Sequence, residues 1–273
     1  MKKQIKHELA EKQAGHVFAG QDVTQAFKMK WQNVDDKDDF GHYYIADTAL
    51  GYYLAGDETH IIAAGSLKRI RKFLYRGIRN RCLGLVQHYL KDIIEVGPDD
   101  YCINFGANIG ELSIGLRDKG ASVLAIEPDI NLTAALLDNS RRYGFSCLPV
   151  ALWNEDTNLK INLDTDNGDT SVFGETVEVA YVRGVRLDSI IQVKSGRIKL
   201  LVGDAEGAEP EVLEGARNTL KNTEYVSLRA SAERNGVDTL VDCRRLLEQA
   251  GFEIVYQEDK GFCILIGHNK RFQ

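Results

Sequence analysis

The stretch Tyr101-Cys-Ile-Asn-Phe-Gly-Ala-Asn-Ile-Gly110, with Glu127 downstream, decides how this chain is read. Tyr101 to Phe105 reads as a strand, and Gly106 to Gly110 as a glycine-bearing turn. A helix is expected to follow to about Lys119, with Gly120 suited to its C′ position. Ser122 to Glu127 reads as a second strand ending on an acid. Strand, turn, helix, strand and terminal carboxylate make one βαβ unit. Glycine lets the backbone take positive φ and approach a ligand closely, and Asn108 can enter the left-handed region at modest cost. A carboxylate ending the second strand can accept hydrogen bonds from two ribose hydroxyls. Glu127 lies 21 residues after Gly106, about the separation that role needs.

The rhythm continues toward the C-terminus. Asp129 can cap a helix that runs to Tyr143 and stops at Gly144. Phe145 to Trp153 holds a third strand. Residues 159–163 and 177–187 alternate like an antiparallel pair, with Asn167-Gly168 as a turn signal. Leu200 to Gly203 reads as a fourth parallel strand, and Pro210 opens a helix with an acidic first turn. Tyr225 to Leu228 is a fifth strand, and Val237 to Ala250 an amphipathic helix. Glu253–Tyr256 and Phe262–Ile266 close the chain as two strands around a polar turn. Short apolar runs alternating with helical patterns predict a parallel α/β sheet, here ending in an antiparallel hairpin. Before residue 97 the texture is less regular. Tyr43 to Leu54 looks like a strand pair turning near Gly51. Ile78 to Ile93 reads as a helix with Ile78, Cys82, Leu85, Val86, Tyr89, Leu90 and Ile93 on one face. The expected division is an N-terminal α+β cap over residues 1–96 and a sheet domain over residues 97–273.

Composition sets outer limits. The chain has 273 residues, 44% hydrophobic and 27% charged, so a folded core is expected and disorder is not. A net charge of −6 argues against a nucleic-acid partner, which calls for a basic footprint. The five cysteines form no CxxC pair and suit free thiols in a reducing compartment. The N-terminus lacks the apolar segment of a secretory signal, and no apolar run reaches the roughly 18 residues of a membrane span. A soluble cytoplasmic protein is expected. The histidines show no HxxxH or HExxH spacing, so no metal site is argued.

A second chemical signal, Asp204-Ala-Glu206-Gly-Ala-Glu209, follows the fourth strand. Ligands of doubly wound sheets bind beyond the C-terminal strand ends, so these carboxylates should face the same crevice as the glycine turn. Glu209 and Glu211 read more simply as first-turn helix residues. Asp204 precedes the helix and is the better candidate for proton transfer, with Glu206 as fallback.

Spacing separates two cofactor classes. Nicotinamide binding uses G-x-G-x-x-G, whereas Gly106, Asn108 and Gly110 stand two apart each time. That is the spacing of the adenosylmethionine-binding turn, D/E-x-G-x-G-x-G, and the alternative is a tight turn with no ligand. Four segments together resemble the FkbM-type methyltransferases: Gly106-Ala-Asn-Ile-Gly-Glu111, Ile126-Glu-Pro-Asp129, Leu187-Asp-Ser189 and Asp204-Ala-Glu-Gly-Ala-Glu-Pro-Glu-Val-Leu-Glu-Gly-Ala216. Order and spacing agree over residues 97–230, and Phe73-Leu-Tyr-Arg-Gly77 with Arg81 resembles segments preceding the domain in some members. The resemblance implies a Rossmann-like, seven-stranded class I methyltransferase sheet with S-adenosyl-L-methionine as donor. Its typical acceptor is a hydroxyl on a sugar or polyketide-like metabolite. By motif, Asn104, Gly106, Asn108, Gly110, Glu127 and Asp204 would bind the cofactor, and Asp204 would also meet the acceptor.

The chain departs from that pattern at two places. Asn104 stands where the first motif usually opens with an acid, and Leu201-Val-Gly203 replaces the I-K-I before the aspartate. A binding protein that has lost turnover is therefore one alternative, and a nicotinamide-dependent oxidoreductase another. Finally, Lys68, Arg69, Arg71, Lys72, Arg76, Arg79 and Arg81 place seven cations in fourteen residues. A solvated helix face paired with acids is the simpler reading; docking of a phosphate-bearing acceptor, or an anionic membrane surface, is the other. Tyr43, Tyr44, Tyr52, Tyr53 and His42 could line an acceptor pocket, though core packing is the commoner fate of such tyrosines.

Overall fold

The computed structural model describes residues 14–19, 44–48, 50–57, 59–74, 77–164, 168–190 and 196–273. The glycine-turn unit folds as its pattern demands. β5 (Tyr101–Phe105) leads through the turn into α3 (Glu111–Asp118), and β6 (Ser122–Ile126) follows. Further along come α4 (Thr133–Tyr143), β7 (Ser146–Leu148), β11 (Ile198–Gly203), α5 (Glu209–Glu214), β12 (Thr223–Arg229), α6 (Leu240–Gln249), β13 (Phe252–Gln257) and β14 (Ile264–Asn269). The strands form one seven-stranded sheet in the order β7-β6-β5-β11-β12-β14-β13. β14 runs antiparallel to both neighbours, and the pairings from β7 to β12 are parallel. This is the seven-stranded, hairpin-ended Rossmann-like sheet that the resemblance implies. The chain steps from β5 out to β7 and returns to β11 on the opposite side of β5, so the order reverses between β5 and β11. Such a switch point opens a crevice at the strands' C-terminal ends.

Central strands are buried on both faces, which is why they read as unbroken apolar runs. Alternate residues divide between two cores. Cys102, Leu200 and Val202 join Ile70, Phe73, Ile78, Cys82 and Ile114 on one side. Ile103, Phe105 and Leu201 join Val212, Leu213, Cys243 and Leu247 on the other. Asp129 accepts from Asn131 N and starts a short 3-10 turn ahead of α4, and Gly144 ends α4 in the left-handed region.

β1 (Ala14–Ala19), β2 (Tyr44–Thr48), β3 (Tyr53–Gly56) and β4 (Ile61–Ala64) form a four-stranded antiparallel sheet in that order. α1 (Leu67–Leu74) and α2 (Ile78–Leu90) lead from it to β5. Ile45, Leu54, Ile62 and Tyr52 share the core that holds α2, α3 and α4. β4 is an edge strand, and α4 satisfies its open backbone. Asn139, fully buried, accepts from Ala63 N at 2.8 Å and donates to Ala63 O at 2.9 Å and Ile109 O at 2.7 Å. Tyr143 donates to Ile61 O at 2.7 Å.

Several boundaries differ from the pattern-based reading. The third strand breaks at Pro149, which has no N–H for a ladder. β8 (Ala151–Leu152) beyond it leaves the main sheet and pairs in parallel with β10 (Val179–Val185), which also pairs antiparallel with β9 (Thr157–Asn162). α2 ends at Leu90 because Lys91 and Asp92 take positive φ, which leaves Ile93 outside it and exposed. α6 starts at Leu240, since Val237 forms a bridge with Arg234. β14 starts at Ile264, because Cys263 turns at φ 50° and swings Phe262 into solvent. Asn167, Tyr43 and His42 lie outside the described residues. Tyr52 and Tyr53 pack in or against the core of the N-terminal sheet.

Candidate active site

A cavity of about 600 Å³ opens at the switch point, within the size range of small-molecule sites. Its floor is the glycine turn. Gly106 has φ 58°, and a Cβ there would lie 1.6 Å from the Asp204 carbonyl oxygen. No other residue lets the ends of β5 and β11 come this close. Gly203 is close-packed as well, since a Cβ would sit 1.9 Å from Phe105 O. The departure at that position thus serves strand contact. Asn108 does adopt the left-handed conformation at φ 53°. Gly110 stands apart from the cavity wall. It caps α3 at φ 91°, where a Cβ would meet the Phe145 ring at 2.7 Å.

Glu127 directly follows β6, lines the cavity and is buried. Its carboxylate accepts from Asn108 N at 2.6 Å and Asp129 N at 2.8 Å. Burial pushes its pKa up to about 7, against the pull of those two amides. Asn104 is buried and also lines the cavity, and its amide nitrogen donates to Ser113 Oγ at 2.9 Å. That bond orients the side chain.

Asp204 and Glu206 lie on the loop from β11 to α5. Asp204 accepts from Arg229 at 2.8 Å through one oxygen and from Glu206 N at 3.1 Å through the other. Burial raises its pKa, with Arg229 opposing. Glu206 sits at φ 49°, 3.9 Å from the same guanidinium. Burial and the neighbouring Asp204 and Glu233 carboxylates push Glu206 up to about 10. Glu233 completes the group by pairing with Arg229. The oxygens of Asp204, Glu206 and Glu233 gather within 4.8 Å of one another, and the Arg229 guanidinium supplies the positive charge among them.

The loop is clamped from below. Glu209, fully buried, accepts from Ala205 N at 2.8 Å, Gly207 N at 3.2 Å and Thr239 Oγ1 at 2.8 Å. Its place in the first turn of α5 is as expected, but it is an internal strut and not surface decoration. Ser171 donates to Glu206 O at 2.7 Å, and Arg234 donates to Gly207 O while lying 4.3 Å over the Phe173 ring. Asp188 of the Leu-Asp-Ser motif is likewise structural, accepting from Asn218 N and from both the amide and the hydroxyl of Thr219.

The basic stretch is not a uniform solvated face. Arg69 is 7% exposed and meets Glu111 at 2.9 Å, while Arg81 meets the other Glu111 oxygen at 3.1 Å. Both arginines line the cavity. Helical periodicity turns them inward beside the buried Ile70, Phe73 and Cys82. Arg79 pairs with Asp118 at 3.6 Å, as a surface reading expects. The side chains of Arg71, Lys72 and Arg76 lie outside the described residues.

Sequence reading missed Arg229, Glu233, Arg234 and His88. Arg229 had one available signal, a charge closing the apolar run of β12 at its C-terminal end. His88 lines the cavity edge-on to Phe262 at 4.9 Å, and nothing local announces it.

Comparison with known proteins places the chain. The model of the methyltransferase FkbM domain matches residues 104–254, more than half of the chain. No curated protein matches it. Among solved structures, magnesium protoporphyrin IX methyltransferase from Synechocystis PCC 6803 is 13% identical, with 74% of this chain and 90% of that one covered and a TM-score of 0.44. A TehB-like SAM-dependent methyltransferase from Corynebacterium glutamicum is also 13% identical, with 74% and 95% covered and a TM-score of 0.44. Precorrin-6y C5,15-methyltransferase from Geobacter metallireducens is 11% identical, with 68% and 88% covered and a TM-score of 0.42. Identity and superposition are low for all three, so the assignment rests on the domain match. The oxidoreductase alternative finds no support. The glycine turn, Glu127 and the Asp204 loop all fall inside the matched segment, and the chain belongs to the FkbM family of S-adenosylmethionine-dependent methyltransferases.

Proposed function

We propose that the chain methylates a hydroxyl oxygen of a small molecule, such as a sugar or a polyketide-like metabolite. The observation that carries this reading is the junction of the carboxylate loop with the glycine turn, where Asp204 O meets Gly106 across a gap no side chain could enter. Binding and acid–base groups thereby share one cavity. The residues fit the donor. Glu127 suits the ribose hydroxyls, Pro128, Val150 and Leu152 offer apolar wall, Asn104 offers its carbonyl oxygen, and the turn at Gly106 to Asn108 lets backbone approach closely. When bound, S-adenosylmethionine supplies an electrophilic methyl group on a cationic sulfur. The acid-rich loop complements that charge.

A hydroxyl must lose its proton as it attacks, and Asp204 is the group proposed to take it. Burial makes Asp204 more basic than a surface carboxylate, while the Arg229 and Glu206 N–H contacts fix its direction. Burial and the neighbouring carboxylates favour the protonated form of Glu206, which suits it to donate a hydrogen bond to the acceptor and not to serve as base. Free cysteines are consistent with a reducing, cytoplasmic setting. No helix among the described residues is long and apolar enough to cross a membrane.

The test uses donor with a labelled methyl group and a panel of sugars, nucleotide sugars and polyol or polyketide-like alcohols. The expected product is an O-methyl ether, identified by mass spectrometry and NMR. Asp204→Asn should keep donor affinity and lower the single-turnover rate by roughly 10²–10⁴. Methylation found only at nitrogen or carbon would overturn the hydroxyl reading, and donor binding with no transfer across the panel would favour a binding protein.

A further inference from the structure

We infer that Arg81, held in place by Glu111, binds the carboxylate at the amino-acid end of the donor. The inference rests on the donor reading above. Three arginines line the cavity among the described residues, and each has a different commitment. Arg229 is committed to Asp204 and Glu233. Arg69 is buried and pairs with Glu111. Arg81 gives only its Nε to Glu111, at 3.1 Å, and its two terminal nitrogens have no acceptor among the described residues. A guanidinium carries five N–H donors in a rigid fork that matches a carboxylate in pairs. With Nε fixed, the remaining edge of that fork is pre-oriented, so a carboxylate can dock without ordering a long side chain.

The donor's own chemistry selects the partner. Its adenosine part is neutral and calls for hydroxyl acceptors and apolar wall, which Glu127, Pro128, Val150 and Leu152 offer. Its α-carboxylate is the one anionic group. The α-ammonium beside it calls for oxygen acceptors, and Asn104 lines the same cavity as Arg81 and Glu111, on the strand that packs against Ser113 of the helix that Glu111 begins. Asn104 replaces an acid and so brings no negative charge to that end. Glu111 is shared between the Arg69 and Arg81 guanidinium groups, so two cations stand against one carboxylate and the group keeps a net positive charge for the donor's carboxylate. Arg81 lies outside the residues matched by the FkbM domain, so the α1–α2 segment contributes to a site whose other parts lie within it.

Calorimetry with two probes separates this role from a merely structural one. S-adenosylhomocysteine carries the amino-acid end, and 5′-methylthioadenosine lacks it. Arg81→Gln should weaken S-adenosylhomocysteine by about ten- to a hundredfold, the worth of a hydrogen-bonded charge, and change 5′-methylthioadenosine by less than about twofold. Arg81→Lys should recover part of the loss, because it restores the charge without the fork. The ratio of the two affinities is read within each variant, so partial unfolding, which lowers both alike, cancels. An unchanged ratio in Arg81→Gln, with both probes binding, overturns the inference and leaves the donor reading intact. A wild-type protein that binds neither probe overturns the donor reading and this inference with it.

Discussion

If Glu127 holds the ribose of the donor, as proposed, binding of the nucleoside part must depend on pH in a way that can be calculated. Its carboxyl is buried with a pKa near 7, because burial outweighs the amides of Asp129 and Asn108. Ribose hydroxyls donate to the ionised form, so binding favours the carboxylate and releases a proton. With a pKa of about 7, about a tenth of the protein is ionised at pH 6, about half at pH 7 and about nine-tenths at pH 8. If the ligand takes only the ionised form, its apparent Kd scales inversely with that fraction. The Kd for 5′-methylthioadenosine, which has no group titrating in this range, should then fall about tenfold from pH 6 to pH 8. That is about 1.4 kcal/mol. At pH 7, calorimetry in buffers of different ionisation enthalpy should find about half a proton released per ligand bound. Glu209 and Glu233 are also pushed up to about 7 by burial and by Asp204. The diagnostic is therefore the comparison with Glu127→Gln, which cannot ionise. That variant should bind more weakly, by roughly 1–3 kcal/mol, with a nearly flat profile. A wild-type Kd that stays constant from pH 6 to 8, or a Glu127→Gln profile as steep as the wild type, would refute the assignment of Glu127 to the ribose.

Two further expectations concern the loop and the turn. Glu206 has a folded pKa of about 10, raised by burial and by Asp204 and Glu233. A carboxyl raised in this way stabilises the fold fully below its unfolded pKa of about 4.5, and that contribution is lost as pH climbs toward 10. Urea midpoints should therefore fall between pH 7 and pH 9.5 in the wild type and fall less in Glu206→Gln; equal slopes would show that Glu206 is already ionised at neutral pH. Gly51 and Gly106 both have positive φ, but a Cβ meets nothing within 4 Å at Gly51 and the Asp204 carbonyl at 1.6 Å at Gly106. Gly51→Ala should cost the left-handed penalty of about 1–2 kcal/mol, and Gly106→Ala should exceed about 4 kcal/mol or fail to fold. Similar unfolding midpoints for the two variants would mean that the Gly106 turn has room to relax.

The order of elements from Tyr101 to Ile266 was legible in the sequence because each signal is local. A buried parallel strand needs an unbroken apolar run, a helix stops at a glycine such as Gly144, and Asp129 can cap only the turn directly after it. The turn conformation at Asn108 and the acid at Glu127 belong to the same class, since one βαβ unit places both. Local pattern failed where a single residue broke it. Pro149 divided a strand, and Cys263 shortened another by turning at positive φ. Seven cations in fourteen residues looked like one surface feature, yet the helix period turned Arg69 and Arg81 inward onto Glu111, 30 to 42 positions away, and left Arg79 on Asp118. The sheet alone decided that Arg229, at the end of β12, should reach Asp204 on the neighbouring strand's loop, with Glu233 brought to the same guanidinium. Sequence by itself determined the glycine turn, because backbone conformation over a few residues is set by those residues. Only the tertiary structure decided which carboxyls are raised by burial and which arginine keeps open donors, because charge and burial depend on groups brought together through space across the switch point.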